Sequence, residues 1–322
     1  DFLYDLVLDG DKVMLMMNGY QVYDLKTGAS LWSAAFDYTP DGLGKRPANA
    51  KKFGVYGAVA DPVRVGNDLY VLDMSNRRNQ YIKKYDANSG KLLWTSPEIK
   101  EARAIPNMYI MGDKIVLQIG GNVEAQAYIY RRTQNADGSV SVYEEWRIWY
   151  PNVKPNGVQA FNISDGSLVW DSERFRKGIT NMIEAGDNVI VSSGKALYSM
   201  DVNTGKELYE VPVAKGGVGN AQMIFPFKDM VAVIGEKGVS TFKMNNGDLV
   251  ANGKYKTSLL EDRFDNIVIM KTEGADIAAF DLNTCKFLEF KARKGATTSL
   301  TTDGQYVYVY ENKTVSKVQT GK

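Results

Sequence analysis

Histidine is absent from the 322 residues, and cysteine occurs once, as Cys285. Without histidine there is no imidazole metal site, no Ser-His-Asp or Cys-His nucleophile, and no haem attachment through Cys-x-x-Cys-His. With one cysteine there is no intrachain disulfide and no zinc site built on several thiolates. No run of 18 or more apolar residues occurs, so no helix of the chain is expected to span a bilayer. Charge of one sign is missing too. Lys+Arg 39 against Asp+Glu 38 leaves +1, which gives no global field to draw nucleic acid or an anionic membrane.

What the chain does contain is repetition. An apolar residue and Asp are followed by two residues, Thr or Ser, Gly, and then Leu-Trp three and four places on. The clearest copies are Tyr23-Asp24-Leu25-Lys26-Thr27-Gly28 with Leu31-Trp32 and Tyr85-Asp86-Ala87-Asn88-Ser89-Gly90 with Leu93-Trp94. Phe161 to Gly166 leads to Val169-Trp170, and Met200-Asp201 through Gly205 leads to Leu208-Tyr209. Weaker copies end at Gly247 and, after Phe280-Asp281, at Cys285; a half-copy ends at Gly321. The seven turn positions lie 62, 76, 39, 42, 38 and 36 residues apart. Each copy is preceded by a turn and a β-type run, as in Asp9-Gly10-Asp11 before Val13-Met14-Leu15.

The motif is hairpin chemistry. Asp accepts hydrogen bonds from the amides of its own turn, Thr or Ser does so more weakly, and Gly takes the left-handed position of a short bulged loop. Each unit reads as four short strands, A to D, with Asp closing C and Trp on D. Helical spacing is hard to find anywhere in the chain. The expected fold is all-β, a β-propeller of seven four-stranded blades with eight as the alternative. As a single domain over 1–322, it has blades near 1–36, 55–97, 104–172, 179–211, 219–256, 257–292 and 296–322, with insertions at 37–54 and 122–155.

These residues resemble the tryptophan-docking repeat of the pyrroloquinoline-quinone-like (PQQ-like) β-propellers. That family includes quinoprotein dehydrogenases and the propeller lipoprotein of the bacterial outer-membrane β-barrel assembly machinery. The resemblance implies that Asp24, Gly28, Trp32, Asp86, Gly90, Trp94, Gly166, Trp170, Asp201, Gly205, Tyr209, Gly247, Asp281 and Gly321 are structural residues of the repeat. It also implies export to the periplasm or cell surface, although the chain itself shows no export signal.

The catalytic features of the quinoproteins do not carry over. Their adjacent cysteine pair is impossible with Cys285 alone, which stands where the sixth turn expects Gly. The Asp-rich turns lack the ligand run of a calcium loop and read as turn caps. No catalytic residue, cofactor or metal site is therefore assigned. Glu101, Asp61, Glu184 and Asp262 lie near expected A strands and are the carboxylates an enzyme reading would use. The docking position weakens along the chain, from Trp to Tyr209, Ala251 and Glu289. The seventh unit stops before strand D, while Phe2 to Leu8 reads as an A strand, so the seam is short of a strand or the chain is part of a longer one. Asp1 in place of Met fits processing or trimming.

Function is expected in the insertions. The first, rich in Gly and Pro, carries Lys45, Arg46, Lys51 and Lys52 and reads as a solvated loop, or else as a cationic lip over a channel mouth. The second runs from Ala125 to Arg132, turns at Asn135-Ala136-Asp137-Gly138, and returns from Val140 to Tyr150. It is a long hairpin with no evident blade neighbour to cover it. Two of the five tryptophans, Trp146 and Trp149, lie on it beside Tyr130, Tyr143, Arg147 and Tyr150, the residue types of binding hot spots. These six are the candidate binding residues, or else a small private core. Odd separation puts Trp146 and Trp149 on opposite faces, so one of them is free to bind. A protein partner is expected, with a glycan or a quinone-dependent dehydrogenase-like activity as the alternatives.

Overall fold

A computed structural model describes residues 3–37, 43, 46–74 and 80–321. All regular structure there is strand apart from one 3-10 turn, Val213–Gly216. The chain forms two compact units, Asp1–Ile179 with Val202–Gly205, and Thr180–Asp201 with Lys206–Lys322.

In the first unit, strands β1 (Asp5–Asp9), β2 (Lys12–Met17), β3 (Gly19–Asp24) and β4 (Ser30–Ala34) form one antiparallel sheet in sequence order. Strand β5 (Ala50–Tyr56) follows, then a second sheet of β6 (Val63–Val65), β7 (Asp68–Asp73), β8 (Tyr81–Asp86) and β9 (Leu92–Thr95). Next in the chain come β10 (Asn107–Met111), β11 (Lys114–Asn122), β12 (Glu124–Gln134), β13 (Val140–Trp149), β14 (Asn152–Asn162) and β15 (Leu168–Asp171). The third sheet has the order β10-β11-β14-β15; a separate sheet has the order β13-β12-β5.

The second unit repeats the pattern with β16 (Ile179–Ala185), β17 (Asn188–Ser193), β18 (Ala196–Asp201) and β19 (Glu207–Pro212). Then come β20 (Ala221–Phe227), β21 (Met230–Gly235), β22 (Gly238–Lys243) and β23 (Leu249–Lys254), and β24 (Ser258–Phe264), β25 (Ile267–Thr272), β26 (Asp276–Asp281) and β27 (Phe287–Lys291). The last sheet among the described residues has three strands, β28 (Thr297–Leu300), β29 (Tyr306–Glu311) and β30 (Thr314–Gln319). Successive antiparallel four-stranded sheets of this kind are the architecture of a β-propeller. The strand expected from Phe2 begins at Asp5; Phe2 and Asp1 lie outside the described residues.

The second strand of most sheets has an unbroken apolar centre because both of its faces are covered. Every residue of β21 is buried, as are all but the first of β7 and β17. That explains why these runs show no alternation.

The turns behave as their chemistry demands. Asp24 Oδ1 accepts from the Thr27 amide and hydroxyl, both at 2.7 Å, and these contacts hold its carboxyl below the usual range. Asp86 and Ser89 repeat the arrangement at 2.8 Å. Glycine at these turns has a second role that the sequence did not reveal. A Cβ on Gly90 would sit 2.5 Å from Cε3 of Trp32, the docking residue of the preceding sheet. Gly166 stands likewise 2.7 Å from Trp94, Gly205 2.6 Å from Trp170, and Gly247 3.0 Å from Tyr209. Each ring packs against the next turn, where only hydrogen leaves room, and at Gly247 Val211 comes closer still, at 2.7 Å. Trp32 is 8% exposed and shares a core with Leu69, Val71, Tyr85 and Ala87 of the second sheet. Trp170 Nε1 also donates to the Val202 carbonyl at 2.7 Å, and Tyr209 Oη to the Met244 carbonyl at 3.0 Å.

Cys285 completes the logic. It has φ +53 in the position that glycine holds elsewhere, and the docking position of the preceding sheet is Ala251. With no large ring against the turn, a side chain fits, and Cys285 is buried in one cluster with Ala251 and Phe280.

Candidate functional site

The two insertions are not separate features. Strand β5, from the first, pairs antiparallel with β12, from the second, so that Val55 faces Ala125 and Phe53 faces Ala127. The hairpin expected to lack a neighbour therefore has one, and residues 50–56 are a strand and not a solvated loop or a lip. The root of this sheet is fixed by Leu43, Ala58, Ala104, Val123 and Val153, with Val55 packed against them.

Alternation divides the sheet into two faces. The inner face carries Ala125, Ala127 and Ile129, which are buried, together with Ala50, Phe53 and Trp149. Trp149 stacks on Phe53 with ring centroids 6.0 Å apart and planes 28° apart. Tyr143 and Arg147 point to the same side further along β13 and are exposed. The outer face carries Tyr128, Tyr130, Glu144, Trp146 and Ile148. Trp146 is 57% exposed and lies opposite Tyr128, ring centroids 5.3 Å apart. Val140, Val142 and Ile148 extend an exposed apolar row along β13 on this face, and Tyr150 follows just beyond its end.

The centre of the outer face is electrostatically closed. Between Tyr128 and Ile129 the register with β5 slips by one residue, leaving Lys51 as a bulge. Bulges re-aim side chains, and Lys51 reaches across β12 to form an ion pair and hydrogen bond with Glu144. Tyr128 Oη donates to the other Glu144 oxygen at 2.5 Å. The Lys51 contact first, and the Tyr128 contact second, hold the Glu144 carboxyl below its ordinary range. The same contact raises Lys51, and Glu144 raises Tyr128. Lys51 Nζ and Arg132 Cζ each lie 5.3 Å from the Tyr130 ring centre, and Arg132 Nε donates to Tyr130 Oη at 2.8 Å. Arg46 donates to the Ala50 carbonyl at 2.7 Å, while Lys45 lies outside the described residues.

Of the six candidates, Tyr130 and Trp146 share the outer face with Tyr150 just past its edge; Trp149 serves the inner core, and Tyr143 and Arg147 are exposed on the inner side. Sequence reasoning left Tyr128 and Glu144 out of the candidates and read Lys51 as a cation of a solvated loop or of a lip. The shared parity of Tyr128 with Tyr130, and of Glu144 with Trp146, was the available signal for two of them. The face holds aromatics and a carboxylate engaged by a lysine and a tyrosine. It is suited to binding.

The carboxylates considered for catalysis belong to different elements. Asp262 in β24 accepts from the Leu300 amide at 3.0 Å, and Glu101, on a loop at φ +56, lies 3.6 Å from Arg174. Glu184 in β16 is raised by desolvation, and Asp61 precedes β6. The residues do not fit a pyrroloquinoline quinone. The single thiol is buried in a hairpin turn with its pKa pushed up to about 11, and no three carboxylate or thiol groups gather among the described residues.

Sheets, turn-capping Asp and ring-against-glycine docking together define a PQQ-like β-propeller. A family profile described as outer membrane protein assembly factor BamB matches residues 17–321, and the chain belongs to that family. Comparison with curated proteins finds no match. Among solved structures, the C-terminal WD40 domain of Sif2 aligns with a TM-score of 0.51 at 12% identity, over 99% of this chain and 81% of that one. BamB from Moraxella catarrhalis aligns with a TM-score of 0.49 at 14% identity, over 98% and 87%. Hsv2p of Kluyveromyces lactis gives 0.46 at 10% identity, over 96% and 92%. Among the described residues no helix is long and apolar enough to cross a membrane.

Proposed function

We propose that this chain is a non-catalytic propeller scaffold of the bacterial cell envelope that holds a protein partner on the outer face of the inserted sheet. Envelope placement rests on the family description. The observation that carries the binding site is Trp146, 57% exposed, set against Tyr128 in an apolar row with Val140, Val142 and Ile148. A tryptophan and tyrosines on a pinned sheet lose little side-chain freedom on binding, which is why such residues dominate interfaces. The aliphatic row favours a protein over a glycan, which asks for convergent polar groups beside the stacking rings.

The test is capture from envelope extract by immobilised protein, comparing the natural chain with the Trp146→Ser, Tyr128→Ser double variant. Loss of the captured protein with an unchanged circular dichroism spectrum is expected. Equal capture by both proteins would place the site elsewhere. Deleting residues 123–150 is a coarser test, because it also strips β5 of β12, its one paired strand among the described residues.

A further inference from the structure

Strand β13 is the edge of its sheet, paired with β12 on one side and with nothing on the other among the described residues. Exposed edges invite pairing with another chain, and proteins blunt them by shortness, bulges, lysine or proline. The other sheet-edge strands here run three to seven residues. Most of the outer ones add a further device. The pairings of β4, β9, β15, β19 and β23 all contain a register shift, and β27 and β30 carry Lys291 and Lys317. On the opposite edge of the inserted sheet, β5 has both a bulge and two lysines. Strand β13 has none of these four; charged side chains also blunt edges, and those it carries, Glu144, Glu145 and Arg147, are of both signs. It holds ten residues in unbroken register and contains neither lysine nor proline.

We infer that β13 pairs antiparallel with β13 of a second copy of this chain, in the register that places Trp146 opposite itself. Symmetry and charge favour this register, the one centre on β13 that sets opposite charges directly against each other. A twofold axis relating two antiparallel edge strands stands perpendicular to the sheet, so that each face continues into the same face of the copy, and it passes beside a single residue. Centring it on Glu144, Glu145 or Arg147 sets like charges against each other, which is destabilising in directly opposed pairs. Centring it on Trp146 sets Glu145 against Arg147 of the copy, and Arg147 against Glu145, so the favourable pair occurs on both sides of the axis. The same register places Tyr143 opposite Trp149. Arg147 makes no ion pair among the described residues and is exposed, whereas Glu145 lies 3.3 Å from Arg131 and gains a second cation. Glu144 falls opposite Ile148 with its charge already engaged by Lys51. The pairing uses the backbone edge of β13 and charges of the inner side. It also brings Trp146 of each copy together at the seam, so the partner-binding face proposed above would run continuously across both copies.

Sedimentation over a concentration series tests the inference on the full chain. Twice the chain mass is expected for the natural protein. Arg147→Glu, which sets Glu against Glu at two symmetric places, should shift it to monomer, and the Glu145→Arg, Arg147→Glu swap should restore the dimer. On a Cys285→Ser background, Trp146→Cys should cross-link the two copies under mild oxidation, and Tyr143→Cys should not. A monomer at every concentration, a dimer indifferent to Arg147→Glu, or equal cross-linking at both positions would overturn the inference. Partner capture measured on the Arg147→Glu monomer, whose outer face is intact, reports on the proposed function separately.

Discussion

Gly28 and Gly90 have the same backbone conformation, φ +70, but different surroundings, and the difference can be measured. Around Gly28 nothing lies within 4 Å of a built Cβ, whereas at Gly90 that atom falls 2.5 Å from Cε3 and 2.6 Å from Cδ2 of Trp32. Gly28→Ala therefore incurs only the left-handed backbone penalty, roughly 1–2 kcal/mol. Gly90→Ala incurs that penalty plus displacement of a packed indole, about 1–3 kcal/mol for an overfilled core, so its loss should be about 2–5 kcal/mol in all. Urea unfolding of both variants, compared through midpoint shifts at a shared denaturant slope, reads the gap directly. Trp32→Ala supplies the control. The truncation itself should cost about 3–5 kcal/mol, but in its presence Gly90→Ala should cost no more than Gly28→Ala. Equal losses in the natural background, or a gap that survives removal of the indole, would refute the claim that turn glycine is needed for docking as well as for φ.

Two further outcomes follow from the same geometry. Lys51→Ala should bring the Glu144 carboxyl back up toward its ordinary pKa, read by carbon-13 NMR titration; an unchanged titration would deny Lys51 its place as the chief cause. Because Glu144 is depressed, its contact with Lys51 is complete above the ordinary carboxylate range and is lost only as pH falls through the lowered value. Ala251→Trp should destabilise by about 1–3 kcal/mol through collision with the Cys285 side chain, and adding Cys285→Gly should recover most of that loss in the same urea assay. No recovery would mean that Ala251 and Cys285 are not a matched pair.

The repeat made the strands legible because turn chemistry is local. Asp24, Thr27 and Gly28 report on each other within four positions, and that is enough to end one strand and start the next. What a turn does for its neighbour was not legible, since the contact of Gly90 with Trp32 spans 58 residues of chain and leaves no trace in spacing. Cys285 looked degenerate by itself and makes sense only beside Ala251. In the insertions, Asp137-Gly138 announced the hairpin and odd separation put Trp146 and Trp149 on opposite faces. The third strand escaped notice because pairing between Lys52 and Tyr128 is a long-range choice that neither propensity nor turn type encodes. Lys51 looked like a surface cation for the same reason. Its acceptor, Glu144, is brought within reach by a bulge that has no signature in a single sequence.

The joining of β5 to β12 also constrains how such a protein can change. Ordinary decorations on a repeat scaffold are gained and lost one at a time, each answerable only to its own blade. Here the two decorations are halves of one small folded body, and losing either would leave the other's oily side, Phe53 or Ala127 and Ile129, open to water. Any lineage that keeps one is thereby held to keep both, and a protein engineer grafting this appendage onto another propeller must transplant two distant stretches of gene together.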